Sequence, residues 1–396
     1  MKYKELSLGE LVSFVSKGIP PKYTEIKTKD SIVVLNQKTN RNFQIDYSLS
    51  RLNDLTKKKV PKDKILIDND ILINSTGVGT AGRIAQLVKV PELTTVDGHM
   101  IIVRPEVEKI DPLYLGYALK AQQAKIEGLQ EGSTGQTELN RQRLLKDIIV
   151  RFPESRRLQQ KISKLFFFLD EKIENNKKIN HHLATIIDTQ FEILFCDNDL
   201  TKTTIGNIGE IVGGGTPSKK IQEYWNGDIP WLSPKDLSLR PSLYTSRGQM
   251  SITELGYEKS SARLMPKNSI LFSSRAPIGY LTIAENNIST NQGFKSIIPN
   301  DDYPFTFVYE LLKYETPMLE SSASGSTFKE VSGTQLKNHV VSIPSTKTIM
   351  RFHESVKPLF EAIRCNEKDI QTLIEIRNIL LPKLLSGEIT INQTTK

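Results

Sequence analysis

FHESVKPLFEAIRCNEKDIQTLIEIRNILLPKLL, residues 352–385, decides the fold. Phe352, Val356, Leu359, Ile363, Asn366, Ile370, Leu373, Arg377, Leu380 and Leu384 follow a strict 4-3 spacing, which sets them along one seam of an α-helix. The stretch ISKLFFFLDEKIENNKKINHHLATIIDTQFEIL, at 162–194, carries the same seam 190 residues earlier (352 − 162). Its members are Ile162, Phe166, Leu169, Ile173, Asn176, Asn180, Leu183, Ile187, Gln190 and Leu194. Each seam is apolar with polar interruptions, and Asn176 falls on Asn366. Seams this long predict helices of roughly 40 residues, about 60 Å at 1.5 Å per residue. The two helices are expected to pair with each other, with Asn176 and Asn366 fixing their register. Amphipathic helices in an ordinary bundle are the alternative.

The repeat extends beyond the helices. LGELVSF around Gly9-Glu10 returns as IGEIVGG around Gly209-Glu210, Gly82-Arg83-Ile84-Ala85 as Gly279-Tyr280-Leu281-Thr282, and Gly132-Ser133-Thr134 as Gly325-Ser326-Thr327. The matches keep their order while the offset shrinks, as a few loop deletions would produce. Residues 1–150 and 201–343 hold β-branched runs broken by Gly, Pro, Asn and Asp, which predict short strands and turns. Each also holds a late helix. Asp111-Pro112 reads as an N-cap followed by proline at the first helical position, and its counterpart lies near 303–322.

The chain has 396 residues and a formal net charge of +8, spread over both copies. Residues 1–200 carry 31 basic against 26 acidic side chains and 201–396 carry 22 against 19. A basic balance favours a polyanionic partner such as nucleic acid. No apolar run of membrane-spanning length and no signal-peptide pattern is present, and the two cysteines, Cys196 and Cys365, match no metal-ligand spacing. A cytoplasmic protein without membrane contact is expected.

VGGGTPSKKIQEYWNGDIPWLSPKDL, at 212–237, resembles the opening of a target-recognition domain from type I restriction–modification specificity subunits. The resemblance rests on Gly214-Gly215-Thr216-Pro217, on Tyr224 through Trp231, and on Lys235-Asp236. Further similar segments are ILFSSRAPIGYLTIA (270–284), NISTNQGFKSI (287–297) and RNILLPKLLSGEI (377–389). In the first half, ILINSTGVGTAGRIAQL (71–87) and TTVDGHMIIVRP (94–105) fit, whereas SKGIPPKY (16–23) stands where the Gly-Gly-Thr-Pro turn belongs, and no Trp-Asn-Gly-Asp-Ile-Pro-Trp segment follows.

The resemblance implies an α+β protein. Two globular mixed α/β target-recognition domains, 1–152 and 201–344, are separated by two long helices, 153–197 and 345–388, with a tail at 389–396. The helices form an antiparallel intramolecular coiled coil within a pseudo-two-fold repeat. The resemblance also implies a subunit that performs no chemistry itself: each domain reads one half of a bipartite site in double-stranded DNA. The helices set the spacing and dock two methyltransferase subunits, and two translocase–nuclease (restriction) subunits complete the complex. This chain is expected to bind no cofactor; S-adenosylmethionine, ATP and Mg²⁺ belong to the partners.

Sequence is read from base edges, while phosphate contacts only position a protein. The candidate DNA contacts in the first copy are Lys22, Lys38, Arg41, Asn74, Ser75, Thr76, Thr80, Arg83, His99, Ser133, Thr134 and Gln136. Those in the second are Thr216, Ser218, Lys219, Lys235, Ser273, Ser274, Arg275, Asn291, Gln292, Ser326 and Thr327. Hydroxyls suit phosphate oxygens, an arginine can fork onto guanine, and Gln136 can pair with adenine. The alternative for the Ser-Arg-Gly segments is an ordinary β-turn, for the Gly-Ser-Thr loops a helix cap, and for His99 a structural histidine. Trp225 and Trp231 are expected to pin the Gly-Gly-Thr-Pro turn to the core rather than to stack on bases. Lys57-Lys58-Lys59, with Lys62 and Lys64, reads as a solvated loop or a site of non-specific phosphate attraction.

No enzyme signature appears. GGGTPSKK lacks the P-loop ending, and neither an Asn-Pro-Pro-aromatic nor an Asp-Pro-Pro-aromatic sequence is present. Two other readings stay open: a self-contained DNA-modifying or nuclease enzyme, and a coiled-coil scaffold that binds only protein.

Overall fold

The computed structural model describes residues 2–132, 137–196, 199–323 and 329–391. The chain divides into two compact units, Met1–Lys172 with Leu373–Lys396, and Ile173–Thr372. The central helix, Arg156–Ile193, and the C-terminal helix, Thr346–Ser386, each contribute to both units. Their lengths are 38 and 41 residues.

Both helices begin at a serine. The Leu158 N–H lies 3.0 Å from the Ser155 carbonyl, and the Thr348 N–H lies 3.3 Å from Ser345 Oγ, so each serine satisfies donors that a helix start leaves unpaired. The C-terminal helix stops where Gly387 takes φ 76°, a left-handed conformation open to glycine. A Cβ there would sit 2.8 Å from the Tyr3 ring. The same helix runs on through Pro358 and Pro382. Each proline removes a backbone donor at a local cost of about 3 kcal/mol, which the apolar packing described next offsets.

In the first unit, four antiparallel strands lie in the order Val12–Lys17, Met100–Pro105, Ile71–Asn74, Ile84–Gln86. A second sheet runs Thr94–Val96, Ser31–Leu35, Arg51–Asp54, Tyr23–Thr24, with its first pair parallel. Helix Pro112–Ala121 is capped by Asp111, whose carboxylate accepts the Tyr114 N–H at 2.9 Å. Tyr117, Phe166 and Leu384 share one core, so helix Pro112–Ala121, the central helix and the C-terminal helix of this unit are packed together. Burying side chains of this size contributes about 1.5–3 kcal/mol each. Asp170 ties the same three elements by polar contacts. It accepts from Tyr117 Oη at 2.9 Å, and pairs with Lys120 at 2.9 Å and Arg377 at 2.6 Å. Burial pushes the Asp170 carboxyl up, but Lys120 and Arg377 outweigh it and hold the group below the usual carboxylate range.

The second unit has a five-stranded sheet in the order Gly209–Gly213, Lys295–Pro299, Ile270–Ser274, Ile278–Ala284, Tyr244–Thr245. A four-stranded sheet runs Met250–Ile252, Trp225–Leu232, Ile288–Thr290, Leu264–Met265. Ile187, Phe191, Phe307, Val356 and Phe360 form its helical core. The Glu367 carboxylate accepts the N–H groups of Leu243 and Tyr244 at 2.7 and 3.1 Å, fastening that edge strand to the C-terminal helix. Burial pushes the Glu367 carboxyl up to about 7.

Within the second unit the two helices run antiparallel, Ser355 meeting Gln190 and Asn366 meeting Asn180, and this corrects the expected asparagine pair. Asn366 Nδ2 donates to Asn180 Oδ1 at 2.8 Å rather than facing Asn176. Seam residues at a constant sequence offset face each other only in parallel helices. In an antiparallel pair, the register that sets 180 against 366 sets 176 against 370. Asn176 is fully buried, and neither its Oδ1 nor its Nδ2 has a hydrogen-bond partner.

Candidate nucleic-acid interface

The two units build one backbone frame from different residues. In the first, Ser75 N–H donates to the His99 carbonyl at 2.8 Å, and in the second, Ser274 N–H donates to the Gly293 carbonyl at 2.8 Å. Leu139 N–H reaches the Ser75 carbonyl at 2.7 Å, as Val331 N–H reaches that of Ser274 at 3.0 Å. Asp97 Oδ1 accepts the His99 N–H at 2.9 Å, and Asn291 Oδ1 accepts the Gly293 N–H at 2.9 Å. These matches make Thr76 the positional equivalent of Arg275, and Glu138 that of Glu330, which face each other across isolated bridges in both units.

The Gly-Gly-Thr-Pro turn also has its equivalent. Gly18 and Ile19 donate to the carbonyls of Met100 and Val96, just as Gly214 and Gly215 donate to those of Phe294 and Thr290. A Cβ on Gly18 or Gly214 would lie 2.0 Å from a carbonyl oxygen, so only glycine allows this approach. The parallel strand pair recurs too: Ser31–Leu35 beside Thr94–Val96 takes the place of Trp225–Leu232 beside Ile288–Thr290. The first half, which lacks the Trp-Asn-Gly-Asp-Ile-Pro-Trp segment, therefore keeps this part of the frame without the tryptophans. Those tryptophans are buried, packed edge to face at 5.2 Å, with Nε1 of Trp231 donating to the Gly215 carbonyl at 2.9 Å and that of Trp225 to the Ser218 carbonyl at 3.1 Å. They pin the turn.

On this frame several sequence candidates come together. Thr76 Oγ1 is 2.8 Å from Nδ1 of the exposed His99. Thr216 Oγ1 is hydrogen-bonded to Oε1 of the exposed Gln292. Arg275 is paired with Glu330 at 3.4 Å, and Asn291 is committed to its own turn. Thr80 Oγ1 lies 3.4 Å from the Thr76 carbonyl, and Arg83 Nη2 donates to the Gly79 carbonyl at 2.9 Å, so both brace the loop that carries them. Lys22, Lys38, Arg41, Ser218, Lys219 and Lys235 are exposed.

Four candidates, Asn74, Ser75, Ser273 and Ser274, are fully buried. Asn74 Oδ1 accepts from buried Asn40 at 3.1 Å, while Ser273 and Ser274 donate to the carbonyls of Pro277 and Gly293 at 2.8 and 3.1 Å. They are the floor beneath the loops. Ser133, Thr134, Gln136, Ser326 and Thr327 lie outside the described residues.

The sequence reading missed Lys17, Val78, Glu138, Lys295 and Glu330. Val78 is 84% exposed at the tip of the 77–80 turn. Lys17 and Lys295 occupy the terminal rungs of matching ladders, Lys17 opposite Ile101 and Lys295 opposite Gly213. Beside the Asp97 turn, the Arg51 guanidinium stacks on the Tyr23 ring at 3.4 Å. Burial raises the Asp97 carboxyl above the usual range. Among the described residues no group of His, Cys, Asp or Glu suited to a metal ion occurs, and no helix is long and apolar enough to cross a membrane.

The sequence profile of the type I restriction modification DNA specificity domain matches this chain twice, over residues 1–185 and 198–375. The chain belongs to that family. The specificity subunit of the type I restriction enzyme MjaIX from Methanocaldococcus jannaschii is 43% identical over 173 residues, 43% of this chain and 40% of that protein. The HindI specificity subunit from Haemophilus influenzae is 32% identical over 188 residues, 47% of this chain and 40% of that protein. Both alignments thus span less than half of the relative's length. A putative MjaX specificity subunit from Methanocaldococcus jannaschii aligns over 97% of this chain and 93% of its own length at 22% identity. The crystal structure of a type I restriction–modification S subunit from M. genitalium covers 100% of this chain and 97% of that one, with a TM-score of 0.64 at 17% identity. It shares the fold.

Proposed function

We propose that this chain is the DNA-specificity subunit of a type I restriction–modification complex. Each recognition unit reads one half of a bipartite site in double-stranded DNA, and the long helices set the spacing and dock two methyltransferase subunits. Two restriction subunits complete the assembly. The chain itself performs no chemistry. S-adenosylmethionine, ATP and Mg²⁺ are used by the partners.

One observation supports this reading above the others. A single backbone frame occurs in both units while the exposed or half-buried groups on it differ: Thr76 and His99 in one, Arg275 and Gln292 in the other. Two readers of unlike half-sites need that combination, because the frame positions and the side chains discriminate. An arginine suits guanine and a glutamine suits adenine, each good pair being worth about 1–3 kcal/mol of discrimination. Val78 offers an apolar tip to a thymine methyl.

The test is to incubate the purified chain with DNA, Mg²⁺ and S-adenosylmethionine, alone and with its methyltransferase partner. Methylation only in the mixture, at one bipartite motif, is the expected result. Turnover by the lone chain would sink the proposal.

A further inference from the structure

Each recognition unit carries a lysine–glutamate pair at the same place in its frame, yet the lysine comes from opposite strands. In the first unit Lys17, on the terminal rung of its ladder, pairs with Glu138. In the second the rung is reversed: Gly213 stands where Lys17 would, and Lys295 across from it pairs with Glu330 at 3.4 Å. Glu330 also holds Arg275 at 3.4 Å. The pairs are partly exposed, with side-chain accessibilities of 35% for Glu330, 37% for Arg275 and 18% for Lys295. They therefore contribute little to stability, and an account of both glutamates must lie elsewhere.

Resting on the DNA-reading role above, we infer that Glu138 and Glu330 are stand-ins for a DNA phosphate that hold the interface cations away from non-specific duplex. An unrestrained arginine or lysine on such a face pairs with any phosphate and binds all sequences alike. While Glu330 holds Arg275, the guanidinium leaves the carboxylate only for a better acceptor, and a correctly placed guanine edge supplies two. Lys295 keeps Glu330 neutralised in that state. On the wrong sequence no base replaces the carboxylate, and a phosphate brought near meets Glu330 as a like charge. Glu138 does the same for one cation, Lys17, where Glu330 does it for two.

The difference between one cation and two gives the test. The full chain, purified with its methyltransferase partner, is titrated with a random-sequence duplex and with its methylated-site duplex over a range of salt. Each cation released to phosphate should steepen the dependence of log affinity on log salt by roughly 0.9. Glu330→Gln is expected to steepen it by roughly two such steps and Glu138→Gln by roughly one. Non-specific affinity should rise about twofold to fivefold, the span that exposed ion pairs cover. Affinity for the true site should change less, so the specificity ratio falls. Lys295→Met added to Glu330→Gln should bring the slope back by one step.

Unchanged slopes in both variants, with melting curves like the parent's, would overturn the inference. So would loss of true-site binding alone, which would mean that the carboxylate itself contacts a base. If the parent complex shows no sequence preference, the DNA-reading role fails instead, and the two failures stay distinct.

Discussion

Asn366 donates its Nδ2 proton to Oδ1 of Asn180 at 2.8 Å, while Asn176, buried in the same helical seam, has no hydrogen-bond partner for either end of its amide. One pair is a register pin, and the other residue is an uncompensated polar group.

The two asparagines should therefore respond oppositely to apolar substitution. Asn176→Leu removes a buried unsatisfied amide, whose desolvation costs about 1–3 kcal/mol, so it should raise the melting temperature. Asn366→Leu strands Asn180 and should lower stability by about 1 kcal/mol. Thermal unfolding followed by circular dichroism checks both. A lower melting temperature for Asn176→Leu would show that its amide has a use in the folded chain.

Asp170 carries the polar link between helix Pro112–Ala121 and the long helices of the first unit. Asp170→Asn leaves Lys120 and Arg377 without their shared carboxylate and should cost about 3 kcal/mol. The folded Asp170 pKa is depressed. Its stabilisation is therefore present above the unfolded value, near 4, and is lost as pH falls through the folded value. Denaturant unfolding from pH 7 downward should show parent and variant converging below that range. A constant gap down to pH 2 would contradict the account.

In the second unit the pH dependence has the reverse sign. Burial, against the partial relief offered by Lys313 and with Asp188 close by, pushes the Glu310 carboxyl up to about 8. A raised carboxyl stabilises fully below its unfolded value, near 4.5, and loses that contribution as pH rises through 8. The parent should weaken from about pH 4.5 to about pH 8 and level off above it. Glu310→Gln should flatten the profile and be the more stable protein at pH 9, by on the order of 1–3 kcal/mol. A steeper profile in the variant would refute this.

Trp231 fixes the Gly-Gly-Thr-Pro turn through its bond to the Gly215 carbonyl. Trp231→Phe keeps most of the ring packing and removes the donor. Stability should fall by about 1 kcal/mol, and methylation of the motif should fall more than stability does. The comparison is methylation rate at a temperature where both proteins are fully folded. Equal rates would leave the tryptophan with a purely packing role.

The helices, the repeat and the recognition strands were legible because each is a pattern in sequence order: heptad spacing, ordered matches and β-branched runs. The direction of helix pairing was not legible in the seams, which fit parallel and antiparallel arrangements alike; the antiparallel expectation came from the family resemblance alone. The Asn180–Asn366 and Gln190–Ser355 contacts together separate the two arrangements. Pro358 and Pro382 inside the C-terminal helix are a case in which tertiary packing overrides local preference. At the candidate interface, residue type was a poor guide to exposure. Ser75 and Ser274 look like phosphate binders in sequence and are buried at the centre of the frame. Glu138 and Glu330 look irrelevant to a polyanion, yet they sit against the interface cations. The equivalence of Gly18 with Gly214 was hidden because the flanking residues changed while the backbone bonds did not.

The central claim is that each unit reads its own half of the site. Its most direct measurement maps methylated adenines after residues 1–152 are replaced by the corresponding segment of another specificity subunit. The account predicts a bipartite motif in which one half changes and the other half and the gap are kept. A motif altered in both halves, or in neither, would contradict it.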